Sequence, residues 1–117
     1  MHIQFAELPV HDQDRARAFY LDTLGFTLAA DAPMAGDWRW IEVTPPGATT
    51  NLHFIRKQDA SDEPVLVLVD ADITGVIERL RAAGVEILSE PQDALWQPGR
   101  LTAEFRDSEG NRIVVGS

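Results

Sequence analysis

The sequence predicts an α+β fold made of two βαβββ modules, and three observations carry that prediction. Short extended segments that alternate apolar and polar residues recur along the chain. Two amphipathic segments at helical spacing each start at an aspartate and stop at a glycine. The order strand, helix, strand, strand, strand occurs twice. At 117 residues the chain is about one domain long. We therefore read residues 1–117 as one domain, with a first module over about 1–58 and a second over about 63–117.

"IQFAELPV" (3–10) reads as a strand with Phe5 and Glu7 on one face and Ala6, Leu8 and Val10 on the other. In "DQDRARAFYLDTLG", Asp12 suits an N-cap, Ala16, Phe19, Tyr20 and Leu24 follow at helical intervals, and Gly25 ends the run. Strands follow at 26–30, 38–45 and 51–57, separated by clusters of Pro, Gly, Asp and Thr. The second half repeats the order, with a strand at 64–70, a helix from Asp72 to Gly84, and strands at 85–90, 101–107 and 111–116. Gly25 in "DTLGFTL" aligns with Gly84 in "RAAGVEI" without a gap across strand, helix and strand, as a duplicated module requires. One helix covers only one face of four strands. Two such modules are expected to form a curved, cup-shaped mixed sheet with the helices on the outer face and the functional surface on the bare side.

Ten basic and nineteen acidic side chains give a formal net charge of -9. That balance argues against nucleic acid or an anionic membrane surface as partner, and it also serves solubility. No apolar run approaches the roughly 20 residues of a membrane span, and "MHIQFAEL" lacks the layout of a secretion signal, so a soluble cytoplasmic protein is expected. The absence of cysteine removes thiolate ligands and thiol nucleophiles. There is no G-x-S-x-G elbow, P-loop or G-x-G-x-x-G, and "FRDSEGNR" reads as a hairpin turn with Asp107, Gly110 and Asn111 in turn roles. His2 and His11 fall at the terminus and in a loop.

"VHDQDRARAFYLDTLGF", "RWIEVTPPG", "AAGVEI" and "FRDSEGNRIVV" together resemble the vicinal oxygen chelate superfamily, which includes glyoxalase I, extradiol dioxygenases and bleomycin- or fosfomycin-resistance proteins. The resemblance spans nearly the whole chain and implies paired βαβββ modules completed in a homodimer. It leaves open whether modules pair within one chain or across two. In the metal-dependent relatives, four His, Glu or Gln ligands come from the first and last strands of each module. The matching positions are Phe5, His53, Val65 and Val114, and only His53 has a lone pair to donate. The resemblance therefore implies no metal and no other cofactor here. A slip of the first strand would substitute Gln4 for Phe5 but would turn Leu8 and Val10 away from the helix. A relocated site would have to join His53 with Glu7, Glu42 and Glu104.

Alternation in "WRWIEV" puts Ile41 and Val43 on the helix side and Trp38, Trp40 and Glu42 on the bare side. The same rule assigns Phe5, Glu7, Asn51, His53 and Ile55 to the bare face of module one, and Val65, Val67, Thr102, Glu104, Arg112 and Val114 to that of module two. Trp38 and Trp40 suit either a pocket that stacks a planar or cationic ligand or a dimer seam. Trp96, in the Pro/Gly-bounded "DALWQPG", is either a lip over that pocket or part of the packing of its own loop. His53 lines the pocket, or exchanges a proton with the ligand. Glu7 and Glu104 are the carboxylates weighed with His53 for catalysis.

Three functions fit these residues. A metal-free binder of a cationic or aromatic small molecule would use Phe5, Glu7, Trp38, Trp40 and His53 from the first module and Val65, Trp96, Glu104 and Val114 from the second. A lyase or isomerase would shuttle a proton between His53 and a glutamate. An interaction domain would leave the cup unused.

Overall fold

The computed structural model describes residues 1–58 and 62–117. Module one contains β1 (Phe5–Val10), α1 (Gln13–Ala18), β2 (Thr27–Ala35), β3 (Trp38–Thr44) and β4 (Asn51–Arg56). Module two contains β5 (Pro64–Val69), α2 (Ile73–Ala82), β6 (Ile87–Asp93), β7 (Leu101–Arg106) and β8 (Arg112–Gly116). The chain divides into two compact units, residues 1–60 and 61–117. Each holds one four-stranded mixed sheet, in the orders β1-β4-β3-β2 and β5-β8-β7-β6. In both sheets the first strand lies parallel to the last and the other neighbours are antiparallel. This is the duplicated βαβββ architecture that the sequence predicts.

Period-two alternation decides which face is buried. Leu8, Val10, Ile41, Val43, Leu52 and Phe54 lie under Ala16 and Tyr20 in module one. Phe105, Ile113 and Val115 play the same part with Ile73, Val76, Ile77 and Leu80 of α2. Asp12 caps α1 by accepting from the Arg15 N–H (3.0 Å), and Asp72 caps α2 by accepting from the Gly75 N–H (3.1 Å).

The structure corrects the first helix. It is not one α-helix up to Gly25: α1 ends at Ala18, and Phe19–Thr23 form a turn of π-helix. Within that wider turn the Leu24 N–H donates to the Phe19 carbonyl (3.1 Å). Tyr20 sits at its centre, fully buried, with its ring 5.4 Å from Phe26 and 6.1 Å from Phe54. Gly25 then takes a φ of 76°, the left-handed conformation that ends the helix.

Two strands run past the prolines at which the sequence reading ends them. β2 continues through Pro33 to Ala35, where the two-residue loop Gly36-Asp37, with Gly36 at φ 63°, turns the chain into β3. β6 continues through Pro91 to Asp93. Both are edge strands, where the missing proline N–H interrupts no ladder on the solvent side. The pattern is complete: the edge strands β1, β2, β5 and β6 carry Pro9, Pro33, Pro64 and Pro91, and the central strands carry none.

Two polar devices lock the frame. Between β7 and β8, the buried Asp107 carboxylate accepts from the backbone N–H groups of Glu109 (2.8 Å) and Asn111 (2.9 Å) and from Asn111 Nδ2 (3.0 Å), which confirms the expected turn. At the start of α1, Gln13 is buried and serves Arg39 as a neighbouring strand would. Its Nε2 donates to the Arg39 carbonyl (2.7 Å) and its Oε1 accepts from the Arg39 N–H (3.0 Å). The Arg39 side chain then reaches Asp31 and Asp14, and Arg17 joins the same Asp31. The hydrogen bond from Arg39 holds the Asp31 carboxyl below the usual carboxylate range.

Replacing Gln13 with Ala leaves two buried backbone groups unpaired, so Gln13→Ala should lower stability by about 2 kcal/mol. Urea unfolding with an unchanged m-value is the expected result; a loss confined to the noise of the midpoint would contradict this role.

Candidate functional site

On the face of module one away from α1, the strand registers line up a row of three residues. Glu7 on β1 and Glu42 on β3 are the Cα partners of His53 on β4, one on each side. The hairpin between β3 and β4 sets this row, since its "PPGATT" loop fixes which residue of β3 meets His53.

Aromatic rings enclose the imidazole. Trp40 stacks on His53 with centroids 3.8 Å apart and planes 24° apart, and Phe5 meets it edge-on at 5.2 Å. Phe5 and Trp40 also touch each other edge-to-face, at 5.8 Å. His53 is only 7% exposed, yet neither Nδ1 nor Nε2 has a hydrogen-bond partner. A buried polar group left in this way costs about 1–3 kcal/mol, which marks it as waiting for a partner that the module does not supply.

Glu42 organises the cluster. One carboxylate oxygen accepts from Trp40 Nε1 (2.7 Å) and the other from Asn51 Nδ2 (2.9 Å), while the Thr44 hydroxyl donates to Asn51 Oδ1 (2.6 Å). The bonds from Trp40 and Asn51 hold the Glu42 carboxyl below its ordinary range against the opposing effect of burial, and the charge of His53 acts in the same direction. Glu42 is therefore an anion that fixes the plane of the indole.

The structure brings together Phe5, Trp40 and His53, with Glu42 and Asn51 supplying the polar frame. Glu7 shares the row but its side chain is exposed. Trp38 lies at the start of β3 beneath the Arg56 guanidinium, 4.3 Å from the ring centroid. In module two, Glu104 forms an ion pair with Arg112 (2.7 Å), Val114 is buried beside it in the register, and Val65 is half-buried. Thr102 is buried with an unpartnered hydroxyl. Trp96 is 67% exposed in the loop between β6 and β7. Neither carboxylate singled out for catalysis is poised for it: Glu7 faces solvent and Glu104 is paired. The acid that matters locally is Glu42, which alternation places on the right face without revealing its two partners.

The donor set does not fit a divalent ion. A phenyl ring occupies the Phe5 position, Glu42 is committed to Trp40 and Asn51, and the imidazole nitrogens are enclosed. Among the described residues no group of three or more His, Cys, Asp or Glu side chains stands where it could hold a metal. Among the same residues no helix is long and apolar enough to cross a membrane.

Comparison with known proteins gives a consistent picture. Residues 2–115 match the family described as the Glyoxalase/Bleomycin resistance protein/Dioxygenase superfamily. The chain is 35% identical over 110 residues to "Uncharacterized protein YetH" of Bacillus subtilis (strain 168), covering 91% of this chain and 89% of that protein. Among solved structures it is similar to TnmS3, an antibiotic binding protein from Streptomyces sp. CB03234, with a TM-score of 0.83 and 33% identity over 98% of this chain and 93% of that one. A superfamily member from Sphaerobacter thermophilus DSM 20745 superposes with a TM-score of 0.84 at 27% identity, over 99% of this chain and 96% of that one.

A glutamine at position 42 has one acceptor oxygen and one amide nitrogen, so either Trp40 or Asn51 would face a second donor. Glu42→Gln should destabilise the protein by about 1–3 kcal/mol at pH 7. Because the folded-state carboxyl titrates below its unfolded value, its contribution is complete above the ordinary glutamate range and is lost as pH falls through the folded value. The stability gap between wild type and Glu42→Gln should narrow on acidification in chemical denaturation; a pH-independent gap would contradict the assignment.

Proposed function

We propose that this chain, which belongs to the Glyoxalase/Bleomycin resistance protein/Dioxygenase superfamily, is a metal-free small-molecule-binding protein whose ligand is a planar aromatic compound held on the open face of module one. The observation that carries this reading is the His53 ring stacked on Trp40, with both ring nitrogens buried and unpartnered. Stacked aromatic surface next to a few polar groups is the usual composition of a small-molecule pocket. The likeness to an antibiotic binding protein supports the same class of ligand. A cationic ligand has less to meet, because Glu42 is taken up by Trp40 and Asn51 and Glu104 by Arg112. The proton-shuttle reading is weakened by the same pairings: no hydrogen bond joins His53 to a carboxylate, and Glu42 is held ionised.

Self-association belongs to this reading. β5 is an edge strand, and its Val67 and Val69 are 66% and 72% exposed in the single chain. Apolar side chains in that position are a liability unless another surface covers them, which supports a homodimer.

With the protein first treated with a chelator, a thermal-shift screen of planar aromatic compounds should find ligands that raise Tm by several degrees, the effect of about 2.7 kcal/mol at a hundredfold excess over Kd. Trp40→Ala should weaken those hits about tenfold, by loss of a stacking contact worth about 0.5–1.5 kcal/mol. Binding that appears only after a divalent metal is added back would refute the metal-free reading. For the assembly, the double substitution Val67→Lys, Val69→Lys should halve the mass measured by sedimentation equilibrium; an unchanged mass would count against a dimer through β5.

A further inference from the structure

The enclosure of His53 bears on the chemistry of the ligand, and this step rests on the binding function proposed above. Within module one the ionisable groups that face the ring are Glu7 from β1 and Glu42 from β3, its two Cα partners. The next residue in the row, Ala30 on β2, is neutral, and β4 itself adds only Asn51 and Ile55 to this face. The remaining neighbour is the stacked face of Trp40. Two carboxylates and an indole face all favour an imidazolium over a neutral imidazole. An imidazolium has two N–H donors and no acceptor. Yet neither nitrogen is hydrogen-bonded, and both Glu42 oxygens already accept from other donors.

We infer that the bound ligand supplies the missing acceptor: it is a neutral planar aromatic with a carbonyl oxygen on its edge, bound to the protonated form of His53 with uptake of one proton from solvent. The ligand keeps all its bonds; the proton moves from water to the imidazole, which then donates to the carbonyl. A cationic aromatic offers no acceptor and adds a repelling charge. A carboxylate-bearing one meets Glu7 and Glu42. Reaching the buried nitrogens requires one of the two covering rings to move. The Trp40 indole is pinned by its bond to Glu42, whereas Phe5, the first residue of β1 and half-buried, has no polar atom to hold it.

The sign follows from linkage. A group that binds its proton more tightly in the complex makes affinity rise as pH falls, by at most about tenfold per pH unit for one proton. The test uses three rings of similar size: 9-fluorenone, which carries the carbonyl; fluorene, which lacks it; and 9-aminoacridine, which is cationic. Quenching of tryptophan fluorescence in the full chain should show 9-fluorenone binding at least tenfold tighter at pH 5.5 than at pH 8.5, with fluorene weaker and indifferent to pH. Calorimetry of wild type with 9-fluorenone in two buffers of different ionisation enthalpy should report proton uptake, a readout that needs no variant. His53→Asn should abolish the pH dependence while fluorene still binds, which also shows that the variant is folded. Equal affinity for 9-fluorenone and fluorene, absence of proton uptake, or tighter binding of 9-aminoacridine would overturn the inference and leave the binding function standing. Failure of all three rings to bind would overturn both.

Discussion

The open face of module one depends on the Glu42 carboxylate. With one oxygen on Trp40 and the other on Asn51, it sets the plane of the indole, and the indole sets the ring surface on which His53 lies. A neutral side chain at this position would leave Trp40 free to adopt other rotamers and would remove the negative charge next to the imidazole. Orientation and electrostatics are thus coupled through one residue. The arrangement is inexpensive in chain length, because residues 40, 42, 51 and 53 come from a single hairpin whose register places them side by side.

The two modules share a frame but not a surface. Their strand orders match, and each helix is capped by an aspartate side chain. The row Glu7, His53, Glu42 in module one corresponds to Val67, Val114, Glu104 in module two. Only the first row contains an imidazole, and in the second the acid is neutralised by Arg112. Duplication preserved what packs under the helices, where volume and alternation constrain each residue, and it released the uncovered faces to diverge. The overall charge of -9 follows the same division, since much of it lies in surface ion pairs and not in the aromatic cluster.

Much of this was legible in the sequence. Alternation in "FAELPV" and "WRWIEV" separates Leu8, Val10, Ile41 and Val43 from Phe5, Trp40 and Glu42, and the structure buries the first set under α1. Helix caps at Asp12 and Asp72 and the turn at Asp107 follow from short-range side-chain chemistry, so they too were readable. The widened turn at Phe19–Thr23 was not, because a π-turn adds one residue to a period that Ala16 and Tyr20 still satisfy. Nor was the partnership of Gln13 with the Arg39 backbone, which joins residues far apart in sequence and leaves no periodic trace. Choosing Glu42 over Glu7 and Glu104 required the cross-strand register and the burial of each side chain. Alternation supplies neither.

The prolines of the four edge strands have a consequence for how the protein survives its own synthesis. A four-stranded sheet with two open sides is a template on which a second, incompletely folded chain can add strands, and such growth has no natural end. An imino acid in each outer strand, Pro9, Pro33, Pro64 and Pro91, removes a donor from the ladder that an incoming strand would need. Contacts between copies are thereby directed to side chains, such as the valines of β5, and away from the backbone. The molecule can remain sticky enough to assemble yet poor at nucleating fibres.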